Sequence, residues 1–590
     1  MTKSNKKKQK KSFGKHPNKK YIEKTISKKY VKFLCLSAIF ILTVIVFSSS
    51  INNEFLTNWD DQDYVTNNND IKDLSYQNVK KIFTSYYVAN YQPVTMLSYG
   101  IEYKFFNLNP KPFHTTNLIL HLLNIILVFQ LIYLLTRKTG ISAIAALFFA
   151  IHPMHVESVA WISERKDVLY SLFYLGALIA YIYYIKNKKN KYLIYSLLLF
   201  IFSLLSKSMA VTMPVVLILF DYYYKRKFER KIIIEKIPFF ILAICFGIIA
   251  ILSQKSGGGI YEIPLFTSFD RIFIVSYAII FYIVKMFLPF NLSALHYYPV
   301  KTNGLLPVEY YIATVIILLI IFLILKINKT NKLKKDLIFG LMFFLITISL
   351  VLQIIPVGRA ITAERYTYIP YIGLFFIIGQ YFTLINSKKN SRKAIKTKSY
   401  LYIVLIVYII FFSYTTYNRN KVWKNGITLF SDVIKKYPSR SFAYWACAIA
   451  KAKAYNTYEA IDDYDKAIKL KPDYINAYVD RGNAKSDLKK YKQAINDYNK
   501  AIELDSNYLS AYLNRGVAKG ILKNYKGAIN DFNKIIKTDA DNADAYYNLG
   551  ISKLQINMKK QACEDLKKAD ELGSAHAAEI IKKYCNYVKN

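Results

Sequence analysis

The chain has 590 residues, 53% of them hydrophobic, with 81 lysines and arginines against 39 aspartates and glutamates. Near-continuous apolar segments of spanning length exclude a soluble enzyme and predict an all-α, polytopic protein of the lipid bilayer. The formal charge of +42 does not indicate nucleic-acid binding, because the basic residues lie in short clusters between apolar segments and in the N-terminal tail.

The first predicted element is a basic tail, residues 1–32, that leads into an apolar segment at 33–50. The tail is long and no small-residue cleavage site follows, so we expect a retained anchor with a cytoplasmic N-terminus. Residues 33–420 form a predicted membrane domain, whose further apolar segments lie at 115–135, 141–157, 167–185, 192–206, 209–224, 237–253, 271–288, 310–327, 337–356, 367–385 and 400–417.

Lysine-rich connectors predict which ends of these segments face the cytoplasm. They lie at 186–191, 224–231, 326–335 and 387–398. Counting crossings from the two ends of the domain assigns opposite sides to the residues after 418, so one segment does not span. Arg271 and Lys285 closely flank the segment at 271–288, and we expect it to lie in the outer interface, which leaves about 11 spans.

The loop after the first apolar segment places three aspartates beside the membrane. It reads NWDDQDYVTNNND at 58–70 and contains Asp60, Asp61 and Asp63. Acidic, Asn-rich stretches also form ordinary polar loops. Ionisable residues at a membrane end cost free energy unless they are paired or act on a substrate. The other outward loops therefore help to decide between an ordinary polar loop and a functional site.

Further charged residues stand on those loops. They are His152, His155, Glu157, Arg165, Lys166 and Asp167 in HPMHVESVAWISERKD, Lys207 after another segment, and Arg359, Glu364 and Arg365 in GRAITAERYTYIP. Carboxylate, imidazole and guanidinium groups together suit a base that activates a hydroxyl and cations that hold a leaving phosphate. A lipid-phosphate sugar donor provides such a leaving group.

Each motif also has a second interpretation. His152, His155 and Glu157 have spacing compatible with a metal site but lack a fourth ligand, so a divalent metal is not favoured and no cofactor is assigned. Pairing of Arg165 with one of the two acids in SERKD stays open, as does an interfacial anchoring role for Arg365.

Residues 421–590 are charged and repeat every 34 residues. Positions at this spacing include Tyr444, Tyr478, Tyr512 and Tyr546, and also Gly482, Gly516 and Gly550. Paired amphipathic helices of this period are the signature of the tetratricopeptide repeat, an α-solenoid suited to extended peptides. Asn476, Asn483 and Asn514 are candidates to bind a peptide backbone, or they simply solvate the groove.

Two cysteines fall at the end of the repeats. Cys563 and Cys585 are predicted on successive helices of the last unit and its cap, and antiparallel helices pack about 8–10 Å apart. A disulfide between them is one hypothesis, which requires an oxidising compartment, and two free thiols are the alternative.

The motifs together resemble one family. The stretches NWDDQDYVTNN, YQPVTMLSYGIEYKFFNLNPKPFHTTNLILHLLN, HPMHVESVAWISERKDVLYSLF, SKSMAVTMPVVLILFDYYY and AERYTYIPYIG, with repeats behind them, are similar in order and spacing to the bacterial relatives of the transmembrane and tetratricopeptide repeat-containing O-mannosyltransferases. The resemblance runs from about Phe55 to the last repeat.

The resemblance implies a GT-C glycosyltransferase fold in a bacterial inner membrane, with the repeats periplasmic or extracellular. It implies a polyprenyl-phosphate-linked sugar as donor, a hexose such as mannose, and inverting transfer to a protein Ser or Thr hydroxyl presented with help from the repeats. The family's acidic pair corresponds to Asp60 and Asp61, the first being the general base. Substitution of Asp61 is therefore expected to be the milder one.

The remaining site residues are expected to line the cavity. Candidates for the donor phosphate are His155, Arg165, Lys166 and Arg365, and further cavity candidates are His152, Glu157, Lys207 and Glu364. SKSMAVT lacks the glutamate that often follows the lysine in eukaryotic relatives, so Lys207 is expected to lack its usual partner. Two other functions stay open: a non-catalytic membrane scaffold for an envelope complex, and a lipid-linked glycan ligase or polymerase on the same fold.

Overall fold

The computed structural model describes residues 19–227, 229–258, 266–327, 332–354, 356, 358, 360–387 and 391–585, so most of the basic tail and Arg359 lie outside the described residues. Nearly all of the described chain is α-helical. Two short strands, β1 (His296–Tyr297) and β2 (Ala360–Thr362), pair antiparallel, with His296 opposite Thr362.

Over its described residues, each predicted apolar segment is mainly helical. The membrane domain contains α1 (Lys19–Phe47), α2 (Tyr76–Thr84), α3 (Pro93–Phe106), α4 (Pro110–Thr136), α5 (Thr139–Ile151), α6 (Val156–Ala160), α7 (Arg165–Asn187), α8 (Asn190–Ser206), α9 (Met213–Tyr223), α10 (Arg230–Ser256), α11 (Ser268–Phe287), α12 (Val308–Lys326), α13 (Lys332–Ile348), α14 (Tyr371–Asn386) and α15 (Arg392–Val422). The short helices α2 and α3, inside the first loop, were not predicted.

Six helices of the described chain are long and apolar enough to cross a membrane. They correspond to Lys29–Asn52, Pro110–Thr136, Ile162–Asn187, Arg230–Ser256, Val308–Lys326 and Arg392–Val422. A seventh candidate is the pair α5 and α6, bent by 57°, and α8, α9 and α14 are shorter apolar helices. The segment α11, predicted to lie in the interface, is not among these candidates, and the number of about 11 spans stays a prediction.

Three of the four lysine-rich connectors, at 186–191, 224–231 and 326–335, lie at one end of the bundle. The Lys186 ammonium donates to the carbonyl of Leu134 at 2.7 Å, and the Tyr224 hydroxyl donates to the same carbonyl at 3.2 Å. The Lys335 ammonium donates to the carbonyl of Tyr223 at 2.6 Å. The C-termini of α4, α7 and α9 and the N-terminus of α13 therefore lie at the same end of the bundle, which we call the basic end.

The 34-residue repeats form a solenoid of helix pairs. Its helices are α16 (Gly426–Lys436), α17 (Ser441–Lys453), α18 (Thr457–Leu470), α19 (Ile475–Asp487), α20 (Tyr491–Leu504), α21 (Leu509–Ile521), α22 (Tyr525–Thr538), α23 (Ala543–Leu554), α24 (Lys559–Glu571) and α25 (Ala577–Tyr584). A Cβ at Gly482 would lie 2.5 Å from the Tyr498 ring, and one at Gly516 would lie 2.6 Å from the Phe532 ring. The repeated glycines therefore allow the paired helices to cross closely.

The solenoid is docked on the first loop of the membrane domain. The Asn58 side-chain amide donates to the carbonyl of Ala446 at 2.9 Å, and the Lys453 ammonium donates to the Gln62 side chain at 2.6 Å. Because these are direct contacts, the repeats and the first loop lie on the same side of the membrane.

Candidate active site

Three segments that are distant in sequence meet at the end of the bundle opposite the basic end. Their junction is a cluster of tryptophans from the first loop, the turn before α7 and the end of α15. The rings of Trp59 and Trp161 have centroids 4.6 Å apart, and those of Trp161 and Trp423 are stacked at 5.5 Å. This cluster fixes the position of the neighbouring Asp60.

Asp61 is a buried residue that joins the first loop to the turn before α7. Its carboxylate accepts a hydrogen bond from the Leu56 amide at 2.9 Å, one from the Ser163 amide at 2.9 Å, and a further short one from the Ser163 hydroxyl. Burial raises the pKa of Asp61 to about 6, although these hydrogen bonds lower it in part. Asp61 therefore holds the loop in place and does not face a cavity.

Asp60, by contrast, faces open space. It is half-buried at the start of a helical turn that continues as a π-helix over Gln62–Thr66, an irregularity common at functional sites. Within the described part of the chain no hydrogen bond or ion pair engages its carboxylate. Burial raises the pKa of Asp60 above its ordinary value, while nearby Lys166 and Arg365 lower it in part. An available carboxylate of raised pKa suits a general base.

A chain of ion pairs lies beside Asp60, centred on Glu164. The Glu164 carboxylate lies 3.2 Å from the Lys166 ammonium and 3.4 Å from the Lys207 ammonium. Lys207 also pairs with Asp167 at 2.5 Å. Lys207 has no glutamate following it in the sequence, as expected, but acids from the turn before α7 and from its first turn pair with it instead.

Within this network of ion pairs, Arg365 is the cation that also lines one of the two cavities described below. Its guanidinium pairs closely with Glu157 and lies 3.3 Å from Glu164, and its backbone amide donates to Glu157 at 3.0 Å. The side chain retains 19% exposure. The pairing removes Glu157 from any metal site with the two histidines. It also gives Arg365 a fixed direction, which a mere interfacial anchor would not need.

Arg165 has a different role from the predicted one. It is fully buried, and its guanidinium pairs with Glu102 at 2.5 Å, donates to the Asn117 side chain at 2.8 Å and donates to the Phe113 carbonyl at 2.7 Å. It pairs with neither acid of SERKD. Since its donors are occupied away from the cavities, Arg165 does not fit the predicted phosphate-binding role.

The two histidines of HPMHVE are buried structural residues. The ring of His152 contacts the Met286 carbonyl at 3.0 Å and accepts a hydrogen bond from the Met154 amide at 3.2 Å. The ring of His155 contacts the Phe149 carbonyl at 2.8 Å. Neither histidine lines a cavity described below. Their contacts with backbone groups favour a structural role between helices over the predicted contact with the donor.

A polar stripe on α4 positions the whole region, and the sequence analysis missed it. Asn117 donates to the Trp161 carbonyl at 3.1 Å, His121 contacts the Tyr368 hydroxyl at 2.7 Å, and Asn124 donates to the Val168 carbonyl at 2.8 Å. Polar residues three and four apart on one face of an apolar helix were the available signal.

Glu364 connects the site to the repeats. Its carboxylate pairs with the Arg419 guanidinium at 3.0 Å, and the same guanidinium pairs with Asp432 of α16 at 2.9 Å. Burial raises the pKa of Glu364 to about 7, against the lowering effect of Arg419. Glu364 thus lies behind Arg365 and does not itself line a cavity.

Asp60 lies between two cavities, which both include Trp59 and Phe442 in their walls. The repeat-side cavity, of about 720 Å³, is lined by Asn58, Trp59, Asp60, Gln62, Asp63, Phe442, Trp445, Ile449, Ala452, Lys453, Tyr464, Asp480, Asn483, Ala484 and Asp487. The loop-side cavity, of about 710 Å³, is lined by Trp59, Asp60, Tyr86, Val88, Ala89, Asn90, Gln254, Ser256, Gly257, Gly258, Leu295, Gly358, Ala360, Arg365, Tyr366 and Phe442.

Of the predicted peptide-binding asparagines, one lies in the repeat-side cavity. Asn483 lines it and accepts hydrogen bonds from the Tyr498 hydroxyl and the Asn514 amide, both at 2.9 Å. Asn476 accepts from the Tyr508 hydroxyl at 3.0 Å. The three asparagines thus form cross-links between helices. Their predicted role in peptide binding stays a prediction.

Two further features bear on cofactors and compartment. Among the described residues, no group of three or more His, Cys, Asp and Glu side chains is arranged to hold a metal ion. Cys563 and Cys585 form a disulfide with Cα atoms 5.7 Å apart, between α24 and the residue after α25, so of the two alternatives left open the structure has the bridge.

Comparison with known families identifies the repeats. Residues 482–520 match the family described as TPR repeat, and residues 509–542 and 543–575 match the family described as Tetratricopeptide repeat. Among solved structures, the chain is similar to MamA, with 23% identity over 27% of this chain and 90% of that chain at a TM-score of 0.24. It is also similar to the Arabidopsis OM64 TPR domain, with 29% identity over 19% and 93% at a TM-score of 0.19.

Curated relatives match the membrane domain as well. A protein O-mannosyl-transferase of Caenorhabditis elegans is 24% identical over 456 residues, which cover 73% of this chain and 62% of that protein. Human protein O-mannosyl-transferase TMTC3 is 22% identical over 429 residues, which cover 67% of this chain and 46% of that protein. The chain thus spans less than two thirds of the length of these two relatives. Over most of its own length the chain is thus similar to proteins named protein O-mannosyl-transferases.

Proposed function

We propose that the chain is a membrane glycosyltransferase that moves a sugar, a hexose such as mannose, from a polyprenyl-phosphate donor to a Ser or Thr hydroxyl of a protein. One observation carries the proposal: the unpaired carboxylate of Asp60 lies between two cavities, one walled by the repeats and one ending at Arg365. A reactant in either cavity can therefore reach this carboxylate. The similarity to O-mannosyltransferases supports the reaction class.

The reaction assigns a separate task to each cavity. In the repeat-side cavity, Asp60 takes the proton of the acceptor hydroxyl as the oxygen attacks the anomeric carbon. The bond between that carbon and the phosphate oxygen breaks, and the lipid phosphate leaves toward the loop-side cavity with the bonding electron pair. Attack opposite to the leaving group inverts the anomeric centre without a covalent intermediate.

The leaving phosphate needs cations rather than an acid. Arg365 lines the loop-side cavity, and Lys166 is a second cation close enough to Asp60 for its charge to lower the pKa of that carboxyl. Both are held by Glu164, at 3.3 Å and 3.2 Å, so they are oriented before the donor arrives. Such preorganised charges stabilise a developing anion without reorganising during the reaction. Arg165 and His155 have no part in this step.

The proposed orientation places the N-terminus in the cytoplasm and the repeats outside a bacterial inner membrane. The positive-inside rule supports it, since three of the lysine-rich connectors share the basic end. The disulfide supports it too, because such bonds persist in oxidising compartments. The first loop is in direct contact with the repeats and would share their compartment.

The test is glycoprotein mass spectrometry of envelope proteins from a deletion strain that is complemented with wild type, with Asp60→Asn or with nothing. We expect hexose-modified Ser and Thr peptides with the wild-type chain only. Full modification with Asp60→Asn would contradict the assignment of the base and would favour a scaffold. Loss of a lipid-linked glycan without any change in protein modification would favour the ligase function.

A further inference from the structure

The repeat-side cavity is acidic in a strongly basic protein. Its lining contains the carboxylates of Asp60, Asp63, Asp480 and Asp487 and one ammonium, that of Lys453. The whole chain has the opposite balance, with 81 basic residues against 39 acidic ones. Because the charge balance of this cavity is opposite to that of the whole chain, the cavity favours a positively charged ligand.

Among the described residues that line the cavity, the single cation already has hydrogen-bond partners. The Lys453 ammonium donates to the Thr57 carbonyl and to the Gln62 side chain, so it holds the first loop on α17. Asp480 accepts a hydrogen bond from the Trp445 ring nitrogen at 2.8 Å. Asp63 and Asp487 are exposed and remain accessible to an incoming group.

The position of Asp487 argues against a structural reason for its charge. It is the last residue of α19, where the helix dipole favours a basic side chain and disfavours an acid. A helix-stabilising role is therefore excluded for this carboxylate.

Aromatic rings stand next to these acids. Phe442 and Trp445 are packed with ring centroids 5.5 Å apart, and Tyr464 lines the same cavity. Aromatic faces receive the methylene stem or the charged head of a Lys or Arg side chain, while a carboxylate pairs with its charge. Carboxylates and aromatic rings together fit a cationic side chain better than they fit an acidic or purely apolar one.

We propose that the repeat-side cavity selects acceptor segments that carry a Lys or Arg close to the modified Ser or Thr, with Asp487 and Asp63 as specificity-determining residues. This inference rests on the proposed function, since Asp60 in the same cavity is the base that the hydroxyl must reach. Segments with acidic or phosphorylated residues at that position are rejected, because like charges facing each other weaken binding strongly.

The experiment measures peptide binding to the full-length protein in the absence of any sugar donor. Three fluorescent peptides carry one Ser and differ at a single neighbouring position, which is Lys, norleucine or Glu. We expect the Lys peptide to bind the wild type at least about tenfold more tightly than the Glu peptide, and added salt to narrow the ratio. The norleucine peptide separates the charge from the apolar stem.

A matched pair of variants tests the assignment. Asp487→Lys is expected to reduce the Lys-to-Glu preference at least about fivefold, because it reverses one charge in the cavity. Asp473→Lys makes the same change at an exposed position of the repeats that does not line the cavity, and we expect it to keep the wild-type preference. A lysine at the end of α19 is compatible with the helix dipole, so folding is retained.

Equal affinities of the wild type for the Lys and Glu peptides would overturn the inference, as would identical preferences of the two variants. Binding is measured without a donor, so these outcomes are independent of catalysis. Sugar transfer without a charge preference would leave the proposed function standing and remove the inference. A charge preference that depends on Asp487 in a chain that transfers no sugar would support the selectivity of the cavity and remove the proposed function.

Discussion

Replacing Asp60 with asparagine removes the proposed base and little else. The two side chains have the same shape, and within the described residues no hydrogen bond or ion pair engages the Asp60 carboxylate. The substitution therefore leaves no buried partner unpaired. We expect sugar transfer to fall by roughly 10²- to 10⁴-fold, the usual contribution of a general base, while the protein still inserts and folds.

The pH dependence of the wild type gives a second reading of the same residue. A base acts in its deprotonated form, so the rate rises with pH as Asp60 loses its proton. Because burial raises the pKa of Asp60, this rise is expected above the range of an ordinary aspartate. The small residual rate of Asp60→Asn should lack that rise.

The assay is the initial rate of sugar transfer by purified protein from a polyprenyl-phosphate hexose to a Ser peptide. Asp73→Asn is the matched control, since it removes one exposed carboxylate of the same loop and keeps the side-chain oxygen that accepts from the Ser75 amide at 3.1 Å. We expect the control to retain the wild-type rate. Equal rates for Asp60→Asn and the wild type would refute the assignment.

Three further predictions concern stability and placement. Lys207→Met leaves Asp167 and Glu164 without their shared ammonium and should lower the free energy of unfolding by about 3–5 kcal/mol. Lys207→Arg keeps the positive charge and should retain most of the wild-type stability. Thermal unfolding in detergent measures both variants. Peptide mapping without reductant should recover Cys563 linked to Cys585, and Cys585→Ser should increase hydrogen exchange in α25, since closing a loop of this length contributes about 3 kcal/mol. A phosphatase reporter fused to the C-terminus should be active outside the cytoplasm, and an active cytoplasmic reporter there would contradict the orientation.

The helices were predictable because composition alone determines them. A continuous apolar run must satisfy its backbone internally in lipid, so each segment becomes a helix wherever its neighbours lie. The repeats were predictable for a similar reason, since each 34-residue unit contacts mainly its neighbours. The helices α2 and α3 lie in the first loop and mix polar with apolar residues. Neither the membrane argument nor the repeat argument therefore predicts them.

The pairing of charged residues was not predictable. Arg165 was predicted to bind the donor phosphate, with pairing inside SERKD left open, and it pairs instead with Glu102, which is 63 residues away. Lys207 finds its partner in Asp167, 40 residues away. Local sequence restricts which residues are neighbours along one helix, but partners across the bundle depend on how helices pack.

Asp60 and Asp61 show the same limit at its smallest scale. They are consecutive and chemically identical, yet one carboxylate is engaged by Ser163 and Leu56 and the other faces two cavities. The sequence predicted an acidic pair without the direction of either side chain. The milder effect expected for Asp61→Asn stays a prediction; the amide keeps only one oxygen, so it can accept from Leu56 or from Ser163 but not from both.

The length of α5 explains why the site lies close to the lipid. Contacts at the basic end place the end of α4 beside the end of α7, so α5 runs from that end to the site and α7 runs from the site back to that end. Thr139–Ile151 has 13 residues and rises only about 20 Å, whereas the hydrocarbon core is about 30 Å thick. The turn from His152 to Glu164 therefore lies below the far surface of the membrane, covered by the first loop. From this length we infer that Asp60 and Arg365, packed on that turn, lie near the depth of lipid phosphates. The proposed function requires this placement, since a donor anchored by its lipid would then reach them without leaving the bilayer.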